Sequence, residues 1–131
     1  MDLRKVFGTN KAAEQSGTWV DIGGGAKVLI ARAGNKHYRE VMKRLLRPHR
    51  AALRSDNMPD ETLENMVIEA TAQTILLGWE GVEDEGAALP YSVDNAKAML
   101  AKYADFRDLV AGYAAEASTF KTQQDEAEVK N

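Results

Sequence analysis

The sequence contains no cysteine. Disulfides, thiolate metal sites, iron–sulfur ligation and cysteine nucleophiles are therefore excluded together. Histidine is scarce. His37 and His49 are the only two, and no carboxylate sits one helical turn from both on a shared face, as a zinc site would need. No apolar run approaches the ~18 residues of a membrane-spanning helix. The opening "MDLRKVFGTNKAAEQSG" lacks the apolar stretch and small-residue cleavage site of a signal peptide. A cytoplasmic protein without a membrane partner is expected.

Two glycine-bearing stretches invite a chemical reading and fail it. "IGGGAK" has glycines before a lysine, but it lacks the four-residue gap, the following hydroxyl residue and the helix of a phosphate loop. In "EGVEDEG" the acids Glu83, Asp84 and Glu85 are consecutive, whereas a calcium loop needs them at alternating positions with a glutamate in twelfth place. No serine occupies a nucleophile elbow. The expectation is a protein that is not an enzyme and needs no cofactor.

What is present fits one domain: 131 residues, 44% hydrophobic and 28% charged, enough to bury a single core. Residues 1–17 are polar and unpatterned, and 121–131 lack an apolar face, so both read as flexible or disordered ends. Between them, at 18–120, "TWVDI", "GGG" and "AKVLIARA" read as a β-hairpin whose glycines take the positive φ of a tight turn.

From Asn35 the apolar period changes to that of a helix, with Tyr38, Val41, Met42, Leu45, Leu46, His49 and Leu53 on one stripe that runs past Pro48 without a slip. This predicts one kinked helix or two nearly coaxial ones. A second helix is expected from Pro59 to Gly78, burying Leu63, Met66, Val67, Ala70, Thr74 and Leu77. Ser92 predicts the cap of a third, with Ala96, Met99, Leu100 and Tyr103 on its stripe. Asp105 can cap a fourth, carrying Phe106, Leu109, Val110, Tyr113, Ala117 and Phe120. The fold class expected is mainly α, a small domain of about four helices with an N-terminal β-hairpin.

The net charge of −3 conceals an uneven distribution. Residues 32–54 hold eight Lys/Arg against one acid, a balance of +7, whereas 55–131 hold five against sixteen, or −11. A basic helix at 32–54 could track nucleic-acid phosphates. However, the chain as a whole is acidic and shows neither a recognition-helix pair nor a base-stacking platform, which disfavours nucleic acid. Opposite charges on two parts of one chain equally suit head-to-tail self-association.

"LLGWEGVEDEGAALPYSVDN", residues 76–95, closes the second predicted helix and opens the third. Gly78 and Gly81 can end a helix, Trp79 can pin it to the core, and Pro90, Tyr91 and Ser92 can start the next. The stretch reads as a rigid structural corner, and its acids as solubilising residues whose replacement, Asp84→Asn for instance, changes little.

This stretch, with "ETLENMVIEATAQTI" before it, resembles the tail assembly chaperones of long, flexible-tailed bacteriophages. These share a Trp-x-Gly, an acidic glycine turn and a Pro-Tyr/Phe-Ser-x-x-Asn helix start. Trp79, Glu80, Gly81, Val82, Gly86, Leu89, Pro90, Tyr91, Ser92 and Asn95 carry the likeness. The basic "ARAGNKHYREVMKRLLRPHR" and the last helix, "YADFRDLVAGYAAEASTF", are also similar to that family.

The resemblance implies a non-enzymatic protein of the host cytoplasm that binds the tape-measure protein, a long helical and aggregation-prone client. It also implies help in assembling the tail-tube (major tail) protein, through a longer frameshifted form where one is made. Candidate protein-binding residues are Arg39, Lys43, Arg44, Arg47 and Arg50 with Met42 and Met58, while Met66 and Met99 suit the core better. The alternatives are a structural or connector protein of the tail, and a nucleic-acid-binding regulator using residues 32–54.

Overall fold

The computed structural model describes residues 1–121. Two short helices come first, α1 (Leu3–Phe7) and α2 (Lys11–Ser16), capped by the side chains of Asp2 and Asn10. Ala13 of α2 packs against the core, within the segment read from the sequence as flexible. The predicted tail at 121–131 lies outside the described residues, Lys121 apart.

The expected hairpin forms from β1 (Thr18–Gly23) and β2 (Ala26–Ile30), antiparallel with Thr18 opposite Ile30 and Gly23 opposite Ala26. Gly24 and Gly25 both have positive φ, which the tight reversal requires. Helix α3 (Lys36–Leu46) follows, then a 3₁₀ turn at Arg47–His49 and α4 (Arg50–Arg54). Pro48 sits in the first turn of the 3₁₀ segment, where its missing N–H costs least.

The second long helix, α5 (Asp60–Thr74), stops four residues before the predicted Gly78. Residues Leu76–Glu80 instead form β3, which pairs antiparallel with β2 and gives a three-stranded sheet in the order β1-β2-β3. A ribbon of β4 (Glu83–Asp84) and β5 (Ala87–Ala88) follows. The chain then forms α6 (Val93–Lys102), α7 (Ala104–Ala115) and a 3₁₀ turn at Ala117–Phe120.

The mainly α expectation of about four helices with only an N-terminal hairpin is therefore corrected. The domain is mixed α/β, with two antiparallel sheets among its helices. The reason lies in "TILLGW". Its apolar run continues the helical phase, but a short apolar run suits a buried strand equally well, and pairing with β2 decides the outcome.

One face of the sheet carries Val28, Ile30, Leu76 and Trp79 into the core, where they meet Ile68 and Ala72 of α5, Ala96 and Leu100 of α6, Val110 and Ala114 of α7, and Phe120. Helix α5 lies between α3 and α6 and also touches β3. It buries Met66, Ile68, Ala70, Thr71, Ala72 and Thr74, residues that span most of its circumference, as befits a helix covered on several sides. The predicted Leu63 stays exposed near the start of the helix.

Candidate functional site

The stretch from α3 to α4 starts from a cap with three tasks. The Asn35 side-chain oxygen accepts from the Tyr38 amide at 2.9 Å, while its Nδ2 donates to the carbonyl oxygens of Arg32 at 2.9 Å and Thr74 at 3.2 Å. The start of α3 is thereby tied to the end of α5. Half-buried Tyr38, Val41, Met42, Leu45 and Leu46 provide the apolar side of α3, and no residue of α3 or α4 is fully buried.

The opposite side is a cationic ridge. Arg39, Lys43, Arg47, Arg50 and Arg54 follow one another at spacings of four, four, three and four. In a helical stretch such spacings place side chains along one face. All five are exposed, as are Lys36 and Arg44. Arg44 reaches only Gln73, at 3.4 Å. Among the described residues, 32–54 make one Lys/Arg ion pair, Arg32 to Glu14 at 3.0 Å, and His37 lies 3.9 Å from Glu40. The five ridge cations, Lys36 and Arg44 take part in neither contact. Like charges one turn apart each cost a few tenths of a kcal/mol, so the ridge is held in a repelling arrangement that an acidic partner would relieve.

The structure thus brings Arg39, Lys43, Arg44, Arg47 and Arg50 together as a surface. Met42 lies half-buried on α3, and Met58 lies half-buried in the connection between α4 and α5. Met66 is buried, and Met99 packs against the core.

The corner residues form a second constellation, between a strand and a helix instead of between two helices. Trp79 is 6% exposed. Its indole Nε1 donates to the Leu89 carbonyl at 2.8 Å, and its ring meets that of Tyr91 edge-on, 5.2 Å between centroids. The Tyr91 hydroxyl donates to the Leu76 carbonyl at 2.7 Å, and burial pushes its pKa above the ordinary phenol value.

Ser92 caps α6 by accepting from the Asn95 amide at 2.9 Å, and Asn95 Nδ2 returns a bond to the Pro90 carbonyl at 2.8 Å. Gly81 has φ +70°, and a Cβ there would lie 2.3 Å from the Gly25 carbonyl oxygen. Only glycine allows β3 to leave the sheet so close to the first hairpin turn. The chemistry of this corner is structural.

Asp84 is the residue that sequence reasoning undervalued. It accepts from the Tyr103 hydroxyl at 2.5 Å and from Lys102 Nζ at 3.0 Å, and Lys102 also reaches Glu85 at 3.4 Å. The Tyr103 bond, and then the Lys102 bond, hold the Asp84 carboxyl below its ordinary range, and Asp84 in turn raises both partners. The clasp ties the tip of the β4–β5 ribbon to the end of α6. Its signal in the sequence is faint, because partners eighteen and nineteen residues away follow from no local pattern.

A polar cavity of about 480 Å³ opens beside the start of α3, among Thr9, Lys11, Glu14, Arg32, Lys36 and Arg39. Burial raises the Glu14 carboxyl, but hydrogen bonds from Thr9 and Arg32 outweigh it and leave the group below its ordinary value. Among the described residues no three His, Asp or Glu side chains come together as a metal site, and no helix is long and apolar enough to cross a membrane.

No curated protein and no solved structure matches the chain. Residues 33–131 match the family described as YdaY prophage protein, and the chain belongs to that family.

Proposed function

We propose that this prophage-family protein is a non-enzymatic tail assembly chaperone that binds the tape-measure protein in the host cytoplasm and promotes assembly of the tail tube around it. The observation that carries the reading is the ridge of Arg39, Lys43, Arg47, Arg50 and Arg54, exposed and without ion pairs among the described residues. A charged surface of this kind speeds encounter with an oppositely charged partner and lets it go again as salt rises. Such exchange suits a helper that must leave the finished assembly.

Arg44 and the half-buried Met42 and Met58 extend the surface. Thioether side chains are flexible and polarisable, and tolerate varied apolar stripes on a helical client. Prophage membership and the resemblance carried by the Trp79-to-Asn95 corner give the client its identity in this reading. The tail-tube protein would be reached through a longer form of the chain, where one is made.

The same ridge could also follow phosphates along a nucleic acid. Pull-down of the tape-measure protein of the same prophage, run beside a DNA gel shift at physiological salt, separates the two. Client capture without a shifted band is the expected result, and a shifted band without client capture overturns the proposal. Detection of the chain in finished virions would instead favour a connector protein of the tail.

A further inference from the structure

Helix α1 is five residues long, and its apolar residues face solvent. Leu3, Val6 and Phe7 are 64, 46 and 65% exposed. Their spacing of i, i+3, i+4 puts them on one helical face, with Arg4 and Lys5 between them. The helix lies by the Ile30 end of β2, where Phe7 borders the cavity shared with Arg32 and Gly34. Lys121 Nζ donates to the Val6 carbonyl at 3.0 Å, and the Asn10 amide donates to the Phe120 carbonyl at 2.7 Å.

At the other end lies an apolar groove of about 350 Å³, between the tip of the β1–β2 hairpin and helices α6 and α7. Ile22, Ala26, Val82, Met99 and Phe106 line it, with Glu83 and Tyr103 beside them. Glu83 is exposed there, Asp84 is engaged by Lys102 and Tyr103, and Glu85 next to it in the chain is exposed and 3.4 Å from Lys102. The groove therefore offers apolar side chains next to acids, and α1 offers apolar side chains next to cations. The length of β1, roughly 17 Å at about 3.3 Å per residue, separates the two ends, so α1 in its observed place cannot reach the groove of its own chain.

We propose that α1 of one copy docks in the groove of a second copy, with Leu3, Val6 and Phe7 as anchors and Arg4 and Lys5 facing Glu83 and Glu85. This is helix-in-groove recognition by i, i+3, i+4 anchors. Donor and acceptor surfaces lie at opposite ends of each chain, so the contact is heterologous and builds a ring or a head-to-tail row. It does not use the cationic ridge and stands or falls independently of the client reading.

The absence of cysteine gives a clean test. Chains carrying Lys5→Cys, which keeps all three apolar anchors, are mixed with chains carrying Glu83→Cys at the groove rim under mild oxidation, and with chains carrying Leu53→Cys on α4 as the control. The proposal expects rapid cross-linking to Glu83→Cys and little to Leu53→Cys.

Sedimentation of the unmodified chain should show association that rises with concentration. Phe7→Ser, at an exposed position, should remain monomeric with an unchanged circular dichroism spectrum. A chain that sediments as a monomer throughout, or cross-linking equally fast to both positions, overturns the proposal. Flotation of the monomer with anionic vesicles, lost in Phe7→Ser, would overturn it in favour of a lipid surface.

Discussion

The indole N–H of Trp79 donates to the carbonyl oxygen of Leu89, ten residues onward in the chain, at 2.8 Å. Between them the chain leaves the sheet, makes the β4–β5 ribbon and returns. One side chain therefore closes a loop that contains no large buried residue of its own. Trp79→Ala removes the hydrogen bond, the edge-on contact with Tyr91 and core volume, and should destabilise the domain by about 3 to 5 kcal/mol. Trp79→Phe keeps most of the volume and leaves the Leu89 carbonyl without this donor, a loss on the order of 1 kcal/mol. Denaturant titration of the two variants checks both the size and the order.

Gly81→Ala should destabilise as well. The added methyl would lie 2.3 Å from the Gly25 carbonyl oxygen, at a residue whose φ is +70°. Strain from a forced backbone shift runs at about 1 to 3 kcal/mol. Gly86→Ala shares the positive φ but meets no atom within 4 Å, so its cost should be the smaller of the two. Thermal melts of the pair separate contact from conformation.

Asp84→Asn should flatten the pH dependence of stability at both extremes. The Asp84 carboxyl is held below its ordinary value by Tyr103 and Lys102. Its contribution is full above the ordinary carboxylate range and disappears as pH falls through the lowered value. Lys102 and Tyr103 are raised by Asp84. Their contributions are full below their ordinary values and are lost as pH rises through the raised ones. Denaturation midpoints measured from acid to alkaline pH should vary less in Asp84→Asn at either end, and identical profiles would dismiss the clasp.

Replacing Arg39, Lys43, Arg47 and Arg50 together with glutamine should leave stability unchanged or slightly higher, because all four like-charge neighbour pairs of the ridge disappear, each worth a few tenths of a kcal/mol. Client binding should weaken, and what remains should depend less on salt. Pull-down across a salt series with the variant and the unmodified chain checks the two effects separately.

The parts of the fold legible in the sequence are those written in local pattern. The GGG hairpin, the cap at Ser92 and the register of Ala96 and Leu100 all depend on neighbours a few residues apart. What escaped was decided at a distance. Leu76 to Glu80 follow a helix in phase, and only β2, some fifty residues earlier in the sequence, makes them a strand.

The same holds for the candidate site. The cationic ridge can be read from spacing alone, because its residues lie on one continuous helical stretch. The partnership of Asp84 with Tyr103 cannot, since it requires the ribbon and α6 to be in place first. The groove opposite α1 was equally hidden, being assembled from β1, β2, the corner and two helices.

Under the proposed function this chain keeps a tape-measure protein soluble. The most direct test is the soluble fraction of the tape-measure protein of the same prophage, expressed alone, with this chain, and with the four-glutamine variant. The expected result is a client that is insoluble alone, soluble and co-purifying with the unmodified chain, and again largely insoluble with the variant. A client whose solubility is the same in all three would contradict it.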